Sequence, residues 1–355
     1  MVMLTKGSAF LRGLSLSDKV YLAPGSSRGS AAITVAVRQG HALKYLTDHS
    51  EAEIQNWAAE QPHHQKDILE QLEALEAKKK SVFLGEKREP LVMGIVNVTP
   101  DSFSDGGKFH TAQAAVDHAH MLAKAGADIL DFGGESTRPG AAAVSVDEEI
   151  FRVVPVIEKC RTFAPFLSID TRKSEVMRAS LQVGANMLND VTALEYDEQS
   201  MAVAAASAAP VCLMHSSADP KVMQDNPRYD HVLFDVLDYL KSRIDICGAA
   251  GIDKSNIIID PGIGFGKTLD HNLTLLKGLR FFHALGCPVL LGASRKSFIG
   301  KIDPTGGAVD RIGGSLSAVL YGLAAGVEIF RVHDVAQTRQ AMAVWQSIDN
   351  TALMP

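Results

Sequence analysis

The sequence predicts an α/β protein built on a (β/α)8 (TIM) barrel, preceded by an N-terminal α/β accessory segment. Three observations carry that prediction. From Leu91 onward, eight short β-rich runs alternate with amphipathic helical segments. Nearly every run is continuously apolar, as strands are when helices cover both faces of a parallel sheet. Polar, reactive residues stand where the apolar runs end. Eight repeats favour closure over a doubly wound open sheet, which usually has fewer strands and often a GxGxxG turn after the first. No such turn follows the first run here.

Taken in order, residues 1–88 precede the repeats. Ala32 to Arg38 (AITVAVR) reads as a strand, and Glu51 to Lys80 as one or two helices with Ile68, Leu72 and Leu75 at i, i+4, i+7 spacing. Val82 to Gly94 reads as a hairpin that delivers the chain to the first barrel strand. The domain boundary falls near Arg88, giving an extension of 1–88 and a barrel of 89–355. The apolar stripe of the extension needs a cover, and placing it away from the strand ends puts it on the far face of the barrel or on the outer helices. The barrel strands are expected at Val92–Val98, Ile129–Gly133, Phe166–Asp170, Met187–Val191, Val211–His215, Ile257–Asp260, Val289–Gly292 and Ile329–His333.

A barrel takes about 250 residues, so a chain of 355 residues leaves room for one modest extra unit. The 46 % apolar and 21 % charged content is that of an ordinary globular protein. A net charge of −6 gives no excess of cations for a nucleic-acid backbone. Any anionic substrate must meet a local cluster of cations instead. No run approaches 18 uninterrupted apolar residues, so no membrane-spanning helix is expected. Cys160, Cys212, Cys247 and Cys287 are scattered, with no CxxC pair, and read as buried free thiols in a reducing, cytoplasmic setting.

The chemistry sits at the strand ends. In a barrel the carboxyl ends of all strands converge on one mouth, so Asn97, Glu135, Asp170, Asn189, His215, Asp260, Lys296, Arg331 and His333 would share a single site. NVTPDSFSDGG (Asn97 to Gly107) is a polar loop with turn-forming residues at both ends and a lone aromatic, Phe103. GGESTRPG (Gly133 to Gly140) presents Thr137 and Arg138, stiffened by Pro139, a combination suited to an anion or carboxylate. Asp170, Asn189 and Asp260 each end an apolar strand, where an unpaired buried carboxylate is costly and demands a partner. The plainer alternative is that each caps the following helix. DPGIGFGKT (Asp260 to Thr268) looks like a nucleotide-binding loop but fails, because Pro261 stands where the Walker pattern needs glycine. Its glycines let the chain turn tightly and expose Phe265 to a planar ligand. SRKS (Ser294 to Ser297) and RVHD (Arg331 to Asp334) follow strands seven and eight, where these barrels often bind phosphate. His215 favours a hydrogen-bonded structural role over catalysis.

With these motifs in order on the expected strands, the chain resembles the dihydropteroate synthase family from Leu91 to about Trp345. The resemblance implies condensation of a dihydropterin methyl diphosphate with para-aminobenzoate, through an SN1-like substitution at the pterin methylene. A pterin presents an N–H and an amino group side by side, which one carboxylate can accept together. By the resemblance, Asp170, Asn189, Asp260, Phe265, Lys296 and Arg331 hold the pterin, with Asp170, Lys296 and Arg331 the catalytic residues. Phe103, Thr137, Arg138, Pro139, Phe265 and Ser297 form the para-aminobenzoate pocket. Asn97, Thr137, Arg138, Arg331 and His333 take the diphosphate, and Asn97 also serves Mg2+. The implied assembly is a homodimer with small-molecule substrates and neither nucleic-acid nor membrane partners. Two alternatives remain. A methyltetrahydrofolate-dependent methyltransferase shares the Asp, Asn and Asp pocket but has no use for the diphosphate cations, and an inactive pterin-binding paralogue would lack turnover. The role of residues 1–88 is not implied by the resemblance.

Overall fold

The computed structural model describes residues 13–25, 31–78, 90–98, 108–136, 143–164, 166–216 and 227–352. The extension folds as a three-stranded antiparallel sheet of β1 (Asp18–Pro24), β2 (Ile33–Gln39) and β3 (Ala42–His49), followed by α1 (Glu51–Ala59) and α2 (Gln65–Lys78). Only β2 and the helices were expected from the sequence. Alternate strand residues face opposite sides. Val20, Leu22, Val35 and Val37 therefore pack on Ile54, Trp57, Ile68, Leu72 and Leu75 in a small core of their own, while Tyr21, Ala23 and Ala36 face the barrel. The helical stripe is thus covered by the extension's own sheet. Gln71 of α2 closes the free edge of β1, donating to the Val20 carbonyl at 2.9 Å and accepting from the Leu22 N–H at 2.8 Å.

The barrel proper begins with β4 (Leu91–Asn97) and α3 (Lys108–Lys124), then β5 (Ile129–Gly133), α4 (Val146–Cys160), β6 (Phe166–Asp170), α5 (Ser174–Gln182) and β7 (Met187–Asp190). It continues with α6 (Ser200–Ser207), β8 (Val211–Met214), α7 (Val232–Ala249), β9 (Ile257–Asp260) and α8 (Leu269–Lys277). It ends with β10 (Leu290–Leu291), α9 (Ser297–Ile302), α10 (Ile312–Ala324), β11 (Ile329–Val332) and α11 (Val335–Asn350). The eight strands are parallel, in the order β10-β11-β4-β5-β6-β7-β8-β9, and a bridge between Ile259 and Val289 closes the ring. The (β/α)8 expectation holds. Three expected strands match residue for residue; the others stop one residue earlier, the first also begins one residue earlier, and the seventh shrinks to two residues because Val289 pairs only through that bridge. The expected Val82 to Gly94 hairpin lies mostly outside the described residues, which resume just before β4.

The extension rests on the outer side of the barrel. Tyr21 stacks on Phe234 of α7 with ring centroids 4.3 Å apart, and its hydroxyl donates to Asp238 at 3.2 Å. Arg38 pairs with Asp235 at 2.7 Å, Lys19 with Asp238 at 2.7 Å, and Arg280 donates to the Pro24 carbonyl at 3.1 Å. These contacts fix the sheet to α7 and to the 3-10 segment Leu279–Leu285, away from the strand ends.

Strand parity then decides which side chains meet inside the ring. Leu91, Met93, Ile129, Met187, Cys212, Ile258, Leu290 and Ile329 form an apolar floor. The residues between them in sequence, such as Val92, Leu130, Leu188, Ile257 and Phe330, point outward into the main core beneath the helices. Two positions further along each strand the inner face turns polar, with Asp131, Ser168, Asn189, Asp260 and Arg331. Asn97, Asp170 and His333 come last on the same parity. Inward aim follows from a period of two residues.

Candidate active site at the barrel mouth

Arg331 is the centre of the inner layer. Its Nε donates to Asp131 Oδ2 and one terminal nitrogen donates to Asp170 Oδ2, both at 2.6 Å. Asn189 Nδ2 donates to the same Asp131 oxygen at 3.2 Å. Three strands and β11 are thereby tied across the barrel. Burial opposes the guanidinium charge, but the two carboxylates outweigh it and hold Arg331 well above the usual arginine range. Burial pushes the Asp170 carboxyl up to about 7 against the pull of Arg331, with Asp131 adding to the rise. Oδ1 of Asp131 and Oδ1 of Asp170 are buried without a hydrogen-bond partner. Such orphaned acceptors cost about 1–3 kcal/mol each, a cost that a donor-rich ligand would relieve.

Asp260 lies across the ring, its Oδ1 accepting from the Gly262 N–H at 2.7 Å. Burial raises its carboxyl above the ordinary range, outweighing Lys296, the Gly262 N–H and Lys267. Lys296 donates to the Ile263 carbonyl and sits 4.4 Å over the Phe265 ring. Burial lowers its ammonium to about 8, with Asp260 opposing and Arg331 reinforcing that shift. Two glycines keep the space between these groups open. A methyl on Gly292 would lie 3.6 Å from Asp260 Oδ2 and 3.9 Å from Lys296 Nζ. One on Gly133 would lie 3.8 Å from Asp170 and 3.9 Å from Asn97 Oδ1. What remains is a slot with carboxylates on two sides, an aromatic ring at one and fixed cations beneath.

At the rim, Ser294 Oγ and His333 Nδ1 are 3.0 Å apart, and the His333 N–H donates to the same hydroxyl at 3.2 Å. Arg295, between two site residues and at φ 57°, is held by Asp334 through bonds of 3.0 and 2.5 Å. This left-handed backbone costs a non-glycine residue energy that the surrounding contacts must cover. Below the second loop, Lys173 joins Glu149 at 2.5 Å and Glu135 at 3.0 Å, a buried ionic knot that anchors the start of GGESTRPG.

Of the residues expected at the site, Asn97, Asp170, Asn189, Asp260, Phe265, Lys296, Arg331 and His333 end at the mouth, and Ser297 opens α9 beside them with an exposed side chain. Phe103, Thr137, Arg138 and Pro139 lie outside the described residues. The helix-cap alternative for Asp170 fails: Lys173 occupies the N-cap position of α5, and Asp197 takes the Ser174 N–H at 2.8 Å. His215 is buried and hydrogen-bonded to Lys267; burial and the neighbouring Lys267 lower its imidazole to about 3. Sequence reasoning missed Asp131 and Lys267 as members of this constellation, while Ser294 falls in the SRKS motif it placed at the phosphate site. The signal for Asp131 was a single charge inside an otherwise apolar run, ILDFG.

Residues 93–333 match the model of a family described as pterin binding enzyme. The chain is 48 % identical to the dihydropteroate synthase of Escherichia coli K12 over 256 residues, covering 72 % of this chain and 90 % of that one. It is similar in structure to Xanthomonas albilineans dihydropteroate synthase solved with 4-aminobenzoic acid, with a TM-score of 0.71 and 48 % identity over 75 % of this chain and 95 % of that one. A second structure of the Xanthomonas protein, in complex with 7,8-dihydropteroate, gives a TM-score of 0.68 at 46 % identity over the same shares of the two chains. The chain belongs to the pterin-binding enzyme family and, within it, to the dihydropteroate synthases.

Proposed function

We propose that this enzyme condenses 6-hydroxymethyl-7,8-dihydropterin diphosphate with para-aminobenzoate, giving 7,8-dihydropteroate and diphosphate, at the mouth just described. It is a transferase of folate biosynthesis. The observation that carries the residue assignment is the slot between Asp260, Asn189 and the Arg331 cluster. Asp260 offers a carboxylate to the amino and N–H edge of the pterin, and Asn189 offers an amide to the mixed donor and acceptor ring edge. Lys296 and Phe265 line one side.

The substitution needs charge more than it needs a nucleophile on the protein. The methylene C–O bond breaks with its electron pair going to diphosphate, near His333, Ser294 and the outer face of Arg331. The positive charge left on the pterin methylene faces Asp170. The amine of para-aminobenzoate then forms the C–N bond and gives up a proton. Magnesium fits this arrangement as a cation carried with the diphosphate. Asn97 offers one amide oxygen beside the open space at Gly133. Among the described residues no group of three His, Cys, Asp or Glu is placed to hold a metal alone, and magnesium often binds through one or two protein ligands plus substrate phosphates. It would supply positive charge at the leaving group.

Phe103, Thr137, Arg138 and Pro139 complete the para-aminobenzoate pocket with Phe265 and Ser297 in this reading, and Thr137 and Arg138 also reach the diphosphate. A homodimer is supported by Leu273, Ile302, Tyr321, Val344 and Ile348, large apolar side chains exposed on α8 to α11; sedimentation as a monomer would remove it. No helix among the described residues is long and apolar enough to cross a membrane. The four buried free thiols support a cytoplasmic setting. The assay is direct: purified protein with both substrates and magnesium should release diphosphate and form dihydropteroate in equal amounts. Pterin binding with no turnover would instead make the chain an inactive paralogue.

A further inference from the structure

The cleft between α2 and α7, about 450 Å³, and the shallower one between α5 and α6, about 710 Å³, carry no group that specifies a ligand. A buried cation inside the glycine-rich turn after β9 does specify a task. Lys267 is 2 % exposed. Its ammonium lies 3.0 Å from His215 Nδ1, 3.2 Å from the His215 carbonyl and 2.9 Å from the Phe265 carbonyl. Three polar atoms thus surround the Lys267 amine, whose charged form burial disfavours and brings down to about 7. The turn itself requires glycine at 262: φ is +70°, and a methyl there would lie 1.9 Å from the His215 carbonyl.

We propose that Lys267 is a positioning residue for para-aminobenzoate: it locks the Gly262 to Gly266 turn so that the Phe265 ring stands fixed over Lys296 as one wall of that substrate's pocket. Two further bonds brace the same turn. Tyr229 donates its hydroxyl proton to the Gly266 carbonyl at 2.9 Å, and the Gly264 N–H donates to Asn272 Oδ1 at 2.7 Å. Phe265 is half-buried with Lys296 Nζ 4.4 Å from its ring centroid, so the position of the ring follows the backbone that carries it. Losing the Lys267 amine would leave the His215 and Phe265 carbonyls without their shared donor.

The inference rests on Phe265 lining the para-aminobenzoate pocket. The test is Lys267→Met, which keeps most of the length and removes the donor, alongside Tyr229→Phe, which removes one brace and disturbs the core far less. Steady-state kinetics with both substrates, calorimetric binding of the pterin diphosphate and thermal melting are measured on each. Lys267→Met should raise the KM for para-aminobenzoate at least tenfold, with a smaller loss of pterin diphosphate affinity because Asp260, Asn189 and Arg331 still hold the pterin, and Tyr229→Phe should raise the same KM about threefold. A lysine that only filled the core would lower the melting temperature and the yield of active enzyme while leaving that KM unchanged; such a result overturns the proposal. If Lys267→Met does not fold, Tyr229→Phe decides in the same way. Failure of the wild-type protein to make dihydropteroate would instead overturn the functional reading on which the inference stands.

Discussion

Asp131 offers a way to change the charge of the site without changing its shape. Arg331 Nε and Asn189 Nδ2 converge on one of its oxygens, Oδ2, and the other has no partner. In Asp131→Asn the amide oxygen can take the Oδ2 position and the amide nitrogen the Oδ1 position, so both contacts survive. What is lost is charge assistance on the Arg331 bond, about 1 kcal/mol, which lowers kcat/KM roughly fivefold to tenfold. The sharper consequence is on pH. Burial raises Asp170, Arg331 opposes that, and Asp131 raises it further. Two unit charges roughly 5 Å apart, the spacing that sharing one guanidinium imposes, repel by about 3 kcal/mol at an effective dielectric of ~20. That is about 2 pH units, and the guanidinium between them should leave about one. In the proposed mechanism ionised Asp170 is the form that stabilises the pterin cation, so activity should be lost as pH falls through its pKa. In Asp131→Asn the carboxylate is easier to form, and the acid limb of kcat/KM should move down by about one pH unit. A limb that stays in place or moves up would refute the argument that these two aspartates share Arg331.

Three further outcomes follow from the same geometry. Lys296, lowered to about 8 chiefly by burial, loses its charge as pH rises through that value, so wild-type activity should fall above it; Lys296→Arg should move that alkaline limb beyond about pH 10, because a guanidinium stays charged, and a limb still near 8 would exclude Lys296 as its cause. Asp260→Ala removes charge-assisted bonds to the pterin worth roughly 1.5–3 kcal/mol each, and calorimetry should show pterin affinity at least tenfold weaker, with unchanged binding sinking the assignment. Deleting residues 1–80 exposes the face of α7 that Tyr21 and Arg38 cover, and should lower the melting temperature or solubility. Both KM values should stay within about threefold, or about 0.65 kcal/mol; a soluble truncation unable to bind para-aminobenzoate would bring the extension into the active site.

Much of this arrangement was legible in the sequence because a barrel strand is covered on both faces. Only the residues at its mouth are free to be polar, so Asp170, Asn189, Asp260 and Arg331 stand out against apolar runs. Asp131 escaped the same reasoning because it lies one inward position below the strand end, where the pattern predicts floor rather than site. Lys267 was hidden by its company: in GFGKT a lysine suggests phosphate, and only the fold reveals three acceptors turned inward upon it. In the extension, β1 and β3 were not recognised. DKVYLAP is short and ends in proline, and ALKYLTDH alternates weakly because β3 is a largely exposed edge. The covering of the Ile68, Leu72 and Leu75 stripe by a local sheet could not be read from the helix alone.

The central claim is that the Asp260, Asn189 and Arg331 slot receives the pterin. A crystal structure of the enzyme with the pterin methyl diphosphate bound tests it most directly. The amino and N–H edge should lie within 2.7–3.2 Å of both Asp260 oxygens, with Asn189 on the ring edge and the diphosphate toward His333 and Asn97. A pterin seated elsewhere, or one whose amino edge makes no contact with Asp260, would contradict the account.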